Sequence, residues 1–108
     1  MIPSFDTFEV SIHNNVIFNI QGGYVQKGDV RSYLTLTEFR TLYYFINHAN
    51  RRILPEELIE HLSLSSNALL DIRNLYNTIC KLRKKIEPIP QSPQILLNVR
   101  PGYIFLIE

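Results

Sequence analysis

Arg73, Asn77, Lys81 and Lys84 recur at spacings of four, four and three, the intervals that stack residues on one face of a helix. Side chains of these types neutralise phosphate and pair with base edges: asparagine bidentately with adenine, lysine with guanine O6 and N7. The surrounding charge has the same sense. From Ile72 to Arg100 six bases (Arg73, Lys81, Arg83, Lys84, Lys85 and Arg100) stand against one acid, Glu87, a net of +5; the whole chain is +1, so the remaining residues carry −4. A basic segment on an otherwise acidic chain is the footprint of a polyanion-binding protein. The alternative at the level of composition is a solvated charged face.

No other set of residues has the spacing of a reactive centre. His13, His48 and His61 fall in a turn and two helices without ligand spacing, and no cysteine pair supports them, so neither a metal site nor a cofactor is expected. Cys80 is the single cysteine; it cannot form an internal bridge, which fits a reducing compartment. Its basic neighbours raise a redox-sensing reading, for which an inert helix cysteine is the simpler alternative. The carboxylates fall mostly in first turns or strands and converge with no nucleophile or base, so no enzyme is expected.

The basic stripe belongs to the longest pattern in the chain. Leu69, Ile72, Leu75, Ile79, Leu82 and Ile86 recur every three or four residues and predict a helix over about 69–87 with one face in the core and the other basic; Pro88 and Pro90 stop it. Thr35 and Glu38 form a capping-box pattern, with Leu34 and Phe39 spaced as a hydrophobic staple, and predict a first helix over about 36–49 whose core stripe is Phe39, Leu42, Ile46 and Ala49. A second helix is expected over about 55–62, with Pro55 in its first turn and Leu58, Ile59 and Leu62 inward. Ser63 to Asn67 reads as a polar loop. Before the helices, short alternating runs between turn signals predict a small antiparallel sheet over about 5–34: Phe8 to Ile12, Val16 to Ile20, Tyr24 to Gln26 and Arg31 to Leu34. After them, Ile95 to Val99 and Tyr103 to Ile107 flank Arg100-Pro101-Gly102 and predict a hairpin over about 95–107.

The 108 residues, 45% of them hydrophobic, suffice for one core and not for two, so residues 1–108 are expected to form a single α+β domain. No basic leader with an apolar run is visible near Met1, and no apolar run approaches the roughly 18 residues of a membrane span. The cytoplasm is the expected location. Tyr43, Tyr44 and Tyr103 sit in apolar patterns and are expected in the core or half-buried, leaving Tyr76 as the tyrosine at an interface.

Four spaced elements carry a resemblance. Leu34-Thr35-x-x-Glu38-Phe39, Ile53-Leu54-Pro55-Glu56-Glu57-Leu58, Ile79-x-x-Leu82-Arg83-Lys84-Lys85-Ile86 and Val99-Arg100-Pro101-Gly102-Tyr103 follow one another over most of the chain. In this order they resemble the OmpR/PhoB-type winged helix-turn-helix effector domain of bacterial transcription regulators. The resemblance implies binding of double-stranded DNA, with the third helix in the major groove. Base-reading positions fall on Tyr76, Asn77 and Lys81, with Arg73 near the helix start. Phosphate-contacting positions fall on Thr78 and Arg83, and Lys84 and Lys85 join them, although that pair would also suit a helix C-terminus as plain solvated charge. The wing residue that enters the adjacent minor groove falls on Arg100. The chain departs from the pattern at Leu75-Tyr76-Asn77-Thr78, where members often carry Val-Asp-Val-His, so its target need not resemble theirs. Cys80 replaces a common phosphate-contacting arginine, the wing turn is one residue shorter, and Pro55 stands where the second helix usually has a Ser or Thr cap.

The resemblance also implies a polymerase contact for segment 63–67, for which an ordinary connector is the competing reading, and pairing of two copies on tandem half-sites. An effector domain starting near Met1 is similar to ToxR/CadC-like regulators, whose effector precedes a membrane segment outside this chain; a small stand-alone regulator is the other arrangement. The competing function is a winged protein–protein interaction module that has lost DNA binding.

Overall fold

A computed structural model describes residues 9–65 and 72–107. Four short strands come first: β1 (Glu9–His13), β2 (Val16–Asn19), β3 (Tyr24–Lys27) and β4 (Val30–Tyr33), joined in antiparallel order β1-β2-β3-β4. The β3–β4 pairing closes at Lys27 opposite Val30, leaving Gly28 and Asp29 as a two-residue turn in which Gly28 takes a φ of 59°, a conformation open to glycine. Inward residues Ile12, Val16, Phe18 and Val25 alternate with more exposed neighbours, as a sheet with one covered face requires. The expected strand residues before Glu9 lie outside the described residues.

Helix α1 (Leu36–Asn47) begins with the expected reciprocal cap. The Thr35 hydroxyl accepts from the Glu38 N–H at 3.2 Å, and the Glu38 carboxylate accepts from the Thr35 N–H at 2.9 Å. The helix ends two residues before the expected Ala49, because Asn50 takes a φ of 66° and turns the chain so that its N–H donates to the Phe105 carbonyl. The buried stripe is centred on Leu42 and Phe45, with Phe39, Ile46 and Ala49 only partly covered; Phe45 was outside the stripe read from spacing. Tyr43 is 43% exposed rather than buried, its ring stacked on Phe39. Tyr44 is half-buried between the rings of His48 and His61, and its hydroxyl donates to the Glu57 carboxylate.

A strand not expected from the sequence, β5 (Arg52–Ile53), joins α1 to α2 (Pro55–Ser65). Pro55 is the first residue of α2 rather than its cap; Leu54 precedes it, and its carbonyl accepts from the Glu57 and Leu58 N–H groups. The helix continues through Ser63 to Ser65, where a loop was expected, while residues 66 and 67 of that loop lie outside the described residues. Helix α3 (Ile72–Ile86) places Leu75, Ile79, Leu82 and Ile86 in the core, each no more than 1% exposed. Full burial of such side chains contributes roughly 1.5–3 kcal/mol each. Leu69 lies outside the described residues, and Ile72, expected in the stripe, is 62% exposed in the first turn of α3.

The hairpin of β6 (Leu96–Val99) and β7 (Gly102–Phe105) pairs through β7 with β5, giving the order β5-β7-β6. Val99 opposes Gly102, so the turn is Arg100 and Pro101 alone, joined by a cis peptide bond. Gly102 is required by contact: a β-carbon there would stand 2.2 Å from the Ile53 carbonyl oxygen. Phe105, Ile95 and Leu96 close the core beneath α1 and α3.

Candidate nucleic-acid interface

With Leu75, Ile79, Leu82 and Ile86 facing inward, helical geometry turns Arg73, Asn77, Lys81 and Lys84 outward, and all four are exposed. Among the described residues, no hydrogen bond or ion pair engages any of these four side chains. Tyr76, 59% exposed, stands beside them. The exposed Arg100 occupies the hairpin tip. The two places meet at a cleft of about 340 Å³, whose walls include Tyr76 of α3, Pro55 of α2, and Asn98, Arg100 and Tyr103 of the hairpin. Burial pushes the Tyr103 phenol above its ordinary pKa, so it stays a neutral group in the cleft wall at any physiological pH.

Three residues expected to hold phosphate are placed differently. Thr78 is 8% exposed, and its hydroxyl donates to the Asn74 carbonyl one turn back at 3.0 Å. Arg83 reaches along the core edge to the hairpin: its Nε donates to the Leu96 carbonyl at 3.0 Å and its Nη2 to the Asn98 Oδ1 at 2.9 Å. Lys85 turns toward the N-terminal half, where its Nζ donates to the Glu38 Oε1 at 2.6 Å and to the Tyr33 carbonyl at 2.8 Å. Of Arg83, Lys84 and Lys85, Lys84 is the one whose side chain is exposed and has no hydrogen bond or ion pair among the described residues.

The same contacts show what spacing alone missed. Glu87, counted from the sequence only as the lone acid of a basic segment, is completely buried. Its carboxylate accepts from the backbone N–H groups of Gln94, Ile95 and Leu96 at 2.7–3.1 Å. It clasps the end of α3 to the start of β6. The Lys27 Nζ donates to the carbonyls of Lys84 and Glu87 at 3.1 and 2.8 Å, tying β3 to the C-terminus of α3, where a cation also complements the helix dipole. Glu38 is buried as well. Burial pushes its carboxyl up, but the Lys85 ammonium and the Thr35 N–H outweigh burial and hold it below the usual carboxylate range. Cation at i and i+4 on a helix has a recognisable spacing; a lysine paired with a glutamate 47 residues earlier has none.

Among the described residues no group of three or more His, Cys, Asp or Glu side chains could hold a metal ion, and no helix is long and apolar enough to cross a membrane. His48 is engaged with the Tyr44 carbonyl through Nδ1 at 2.9 Å.

Sheet, three helices and hairpin in this order define a winged helix-turn-helix. The architecture is shared with the Thermotoga maritima response regulator DrrB, an OmpR/PhoB homologue (TM-score 0.77, 22% identity, 92% of this chain and 44% of that one). It is also shared with the Klebsiella pneumoniae RstA DNA-binding domain, solved in complex with the RstA box (TM-score 0.71, 23% identity, 91% and 96%), and with the DNA-binding domain of Escherichia coli CadC (TM-score 0.73, 17% identity, 87% and 88%). The family follows from the sequence: residues 29–105 match the model described as "Transcriptional regulatory protein, C terminal", and the chain belongs to this family of OmpR/PhoB-type DNA-binding domains, which serve transcription regulation rather than catalysis. It is 36% identical over 92 residues to protein PetR of Rhodobacter capsulatus, a match covering 81% of this chain and 39% of PetR. The chain thus spans about two-fifths of the length of that relative.

Proposed function

We propose that this domain binds double-stranded DNA in a sequence-specific manner as the effector of a bacterial transcription regulator, with α3 in the major groove and Arg100 in the neighbouring minor groove. The observation that carries this reading is the division of α3 into a buried aliphatic face and an exposed face of Arg73, Asn77, Lys81 and Lys84 whose side chains make no hydrogen bond or ion pair among the described residues. An α-helix fits the major groove, where each base pair shows a distinct donor and acceptor pattern. Tyr76, Asn77 and Lys81, with Arg73 at the start, read bases in this account. Lys84 holds a phosphate oxygen and fixes register. Thr78, Arg83 and Lys85 are left out of the contact set, because the Thr78 hydroxyl and two donors each of Arg83 and Lys85 are engaged within the domain. The reading places the protein where the chromosome is, in the cytoplasm.

Selection of bound sequences from a random duplex library tests the proposal. The expected result is an enriched motif whose binding weakens steeply as salt rises. Two motifs repeated about one helical turn apart would extend the reading to two copies on tandem half-sites. Recovery of random sequence, or binding indifferent to ionic strength, overturns it.

A further inference from the structure

The hairpin that carries Arg100 is held from two sides. On one side β7 pairs with β5, and Gly102 lies against the Ile53 backbone with no room for a β-carbon. On the other, the Arg83 guanidinium grips β6 at two points two residues apart, the Leu96 carbonyl and the Asn98 side chain. Asn98 is two residues before Arg100, and the turn that follows is only two residues long. The hairpin tip has no slack of its own. Its direction relative to α3 is therefore set where Arg83 meets Asn98.

We propose that Arg83 is a positioning residue for the wing: anchored in α3, it fixes the angle at which Arg100 is presented, so that helix and wing address the duplex as one preset unit. This rests on the reading of Arg100 as a DNA-contacting residue. The planar guanidinium suits the role, because its fork donates in two fixed directions and so constrains orientation as well as distance. The Nε contact with the Leu96 carbonyl is partly buried, and the Nη2 contact with Asn98 lies at the exposed edge of the hairpin. Two of the five guanidinium donors are turned to β6, and these include the Nε–H needed for a side-on bidentate grip on a phosphate.

A double-mutant cycle on a selected duplex separates these roles. The variants are Arg83→Met, Asn98→Ala, Arg100→Ala and the two doubles with Arg100→Ala. Melting temperature is recorded for each, so that affinity is compared among folded proteins. Asn98 is exposed, so Asn98→Ala keeps the fold and serves as the second route to the same loss. Arg100→Ala is expected to weaken binding about tenfold, the effect of roughly one charge-assisted contact. Arg83→Met and Asn98→Ala should each remove most of that same contribution, and each double should be no weaker than Arg100→Ala alone. Arg83→Lys, whose ammonium keeps the charge but lacks the planar fork that fixes orientation, should restore part of it. Additive losses, with Arg83→Met lowering the salt slope by about one while Asn98→Ala has no effect, would show a direct phosphate contact and overturn the proposal. Loss of binding on Arg100→Ala with no loss on either Arg83→Met or Asn98→Ala also overturns it while leaving the wing reading intact. An inert Arg100→Ala overturns the wing reading itself.

Discussion

The polar side chains of α3 divide into an exposed half and a fastened half. Arg73, Asn77, Lys81 and Lys84 project from the helix with no hydrogen bond or ion pair among the described residues. Arg83, Lys85 and the adjoining Glu87 are committed to β6, Glu38 and the start of the hairpin. Charge on a helix is thus not equivalent to charge available for a ligand. The fastened half holds the helix in the domain, and the exposed half is thereby held out rigidly, as a base-reading surface requires.

Breaking the fastened half should cost stability. The largest effect is expected for Glu87→Ala, which leaves the buried N–H groups of Ile95 and Leu96 without an acceptor; a loss of about 3 kcal/mol in denaturant unfolding is expected. A variant as stable as the parent would show that the clasp is dispensable. Next comes Lys85→Met, which strands the buried Glu38 carboxylate and should lower stability by about 2 kcal/mol. The pair also carries a pH signature. Because the folded state holds the Glu38 carboxyl below its ordinary value, the pair stabilises the fold above the usual carboxylate range, and that contribution disappears as the pH falls through the folded value. Acid should therefore destabilise the parent more than Lys85→Met, and parallel pH–stability curves would contradict the pairing.

Breaking the exposed half should instead leave melting unchanged and alter binding. Lys81→Ala is expected to weaken the selected sequence by roughly 1–3 kcal/mol and to relax preference at one base position. Equal losses on selected and random duplexes would remove Lys81 from the base-reading set. The smallest effect is expected for Lys84→Ala, below about 1 kcal/mol: a uniform loss on every duplex with the salt slope reduced by about one. A sequence-dependent loss would move Lys84 from phosphate to base contact.

How much of this was legible in the sequence depended on range. Local signals read well: the Thr35–Glu38 cap formed as spaced, and the Leu75, Ile79, Leu82 and Ile86 stripe faces the core. Period alone does not separate covered from open positions: Ile72 continues the stripe by spacing and is exposed, and Phe45 lies beside a stripe drawn from Phe39 yet is fully buried. The two-residue β5 is too short to alternate, and exists because β7 is there to pair with it. On the candidate site, the outward positions of Arg73, Tyr76, Asn77 and Lys81 followed from the stripe on the other face. The engagement of Arg83 and Lys85 did not, since their partners lie 13 or more residues away in sequence and are chosen by the tertiary fold.

The contact at Gly102 has a consequence for variation in this hairpin. A joint with no clearance against Ile53 admits no side chain, not even a methyl group, without prying β7 from β5. Changes in what the arm touches must therefore enter through Arg100 or Pro101, the exposed turn residues, while the hinge beneath them stays bare.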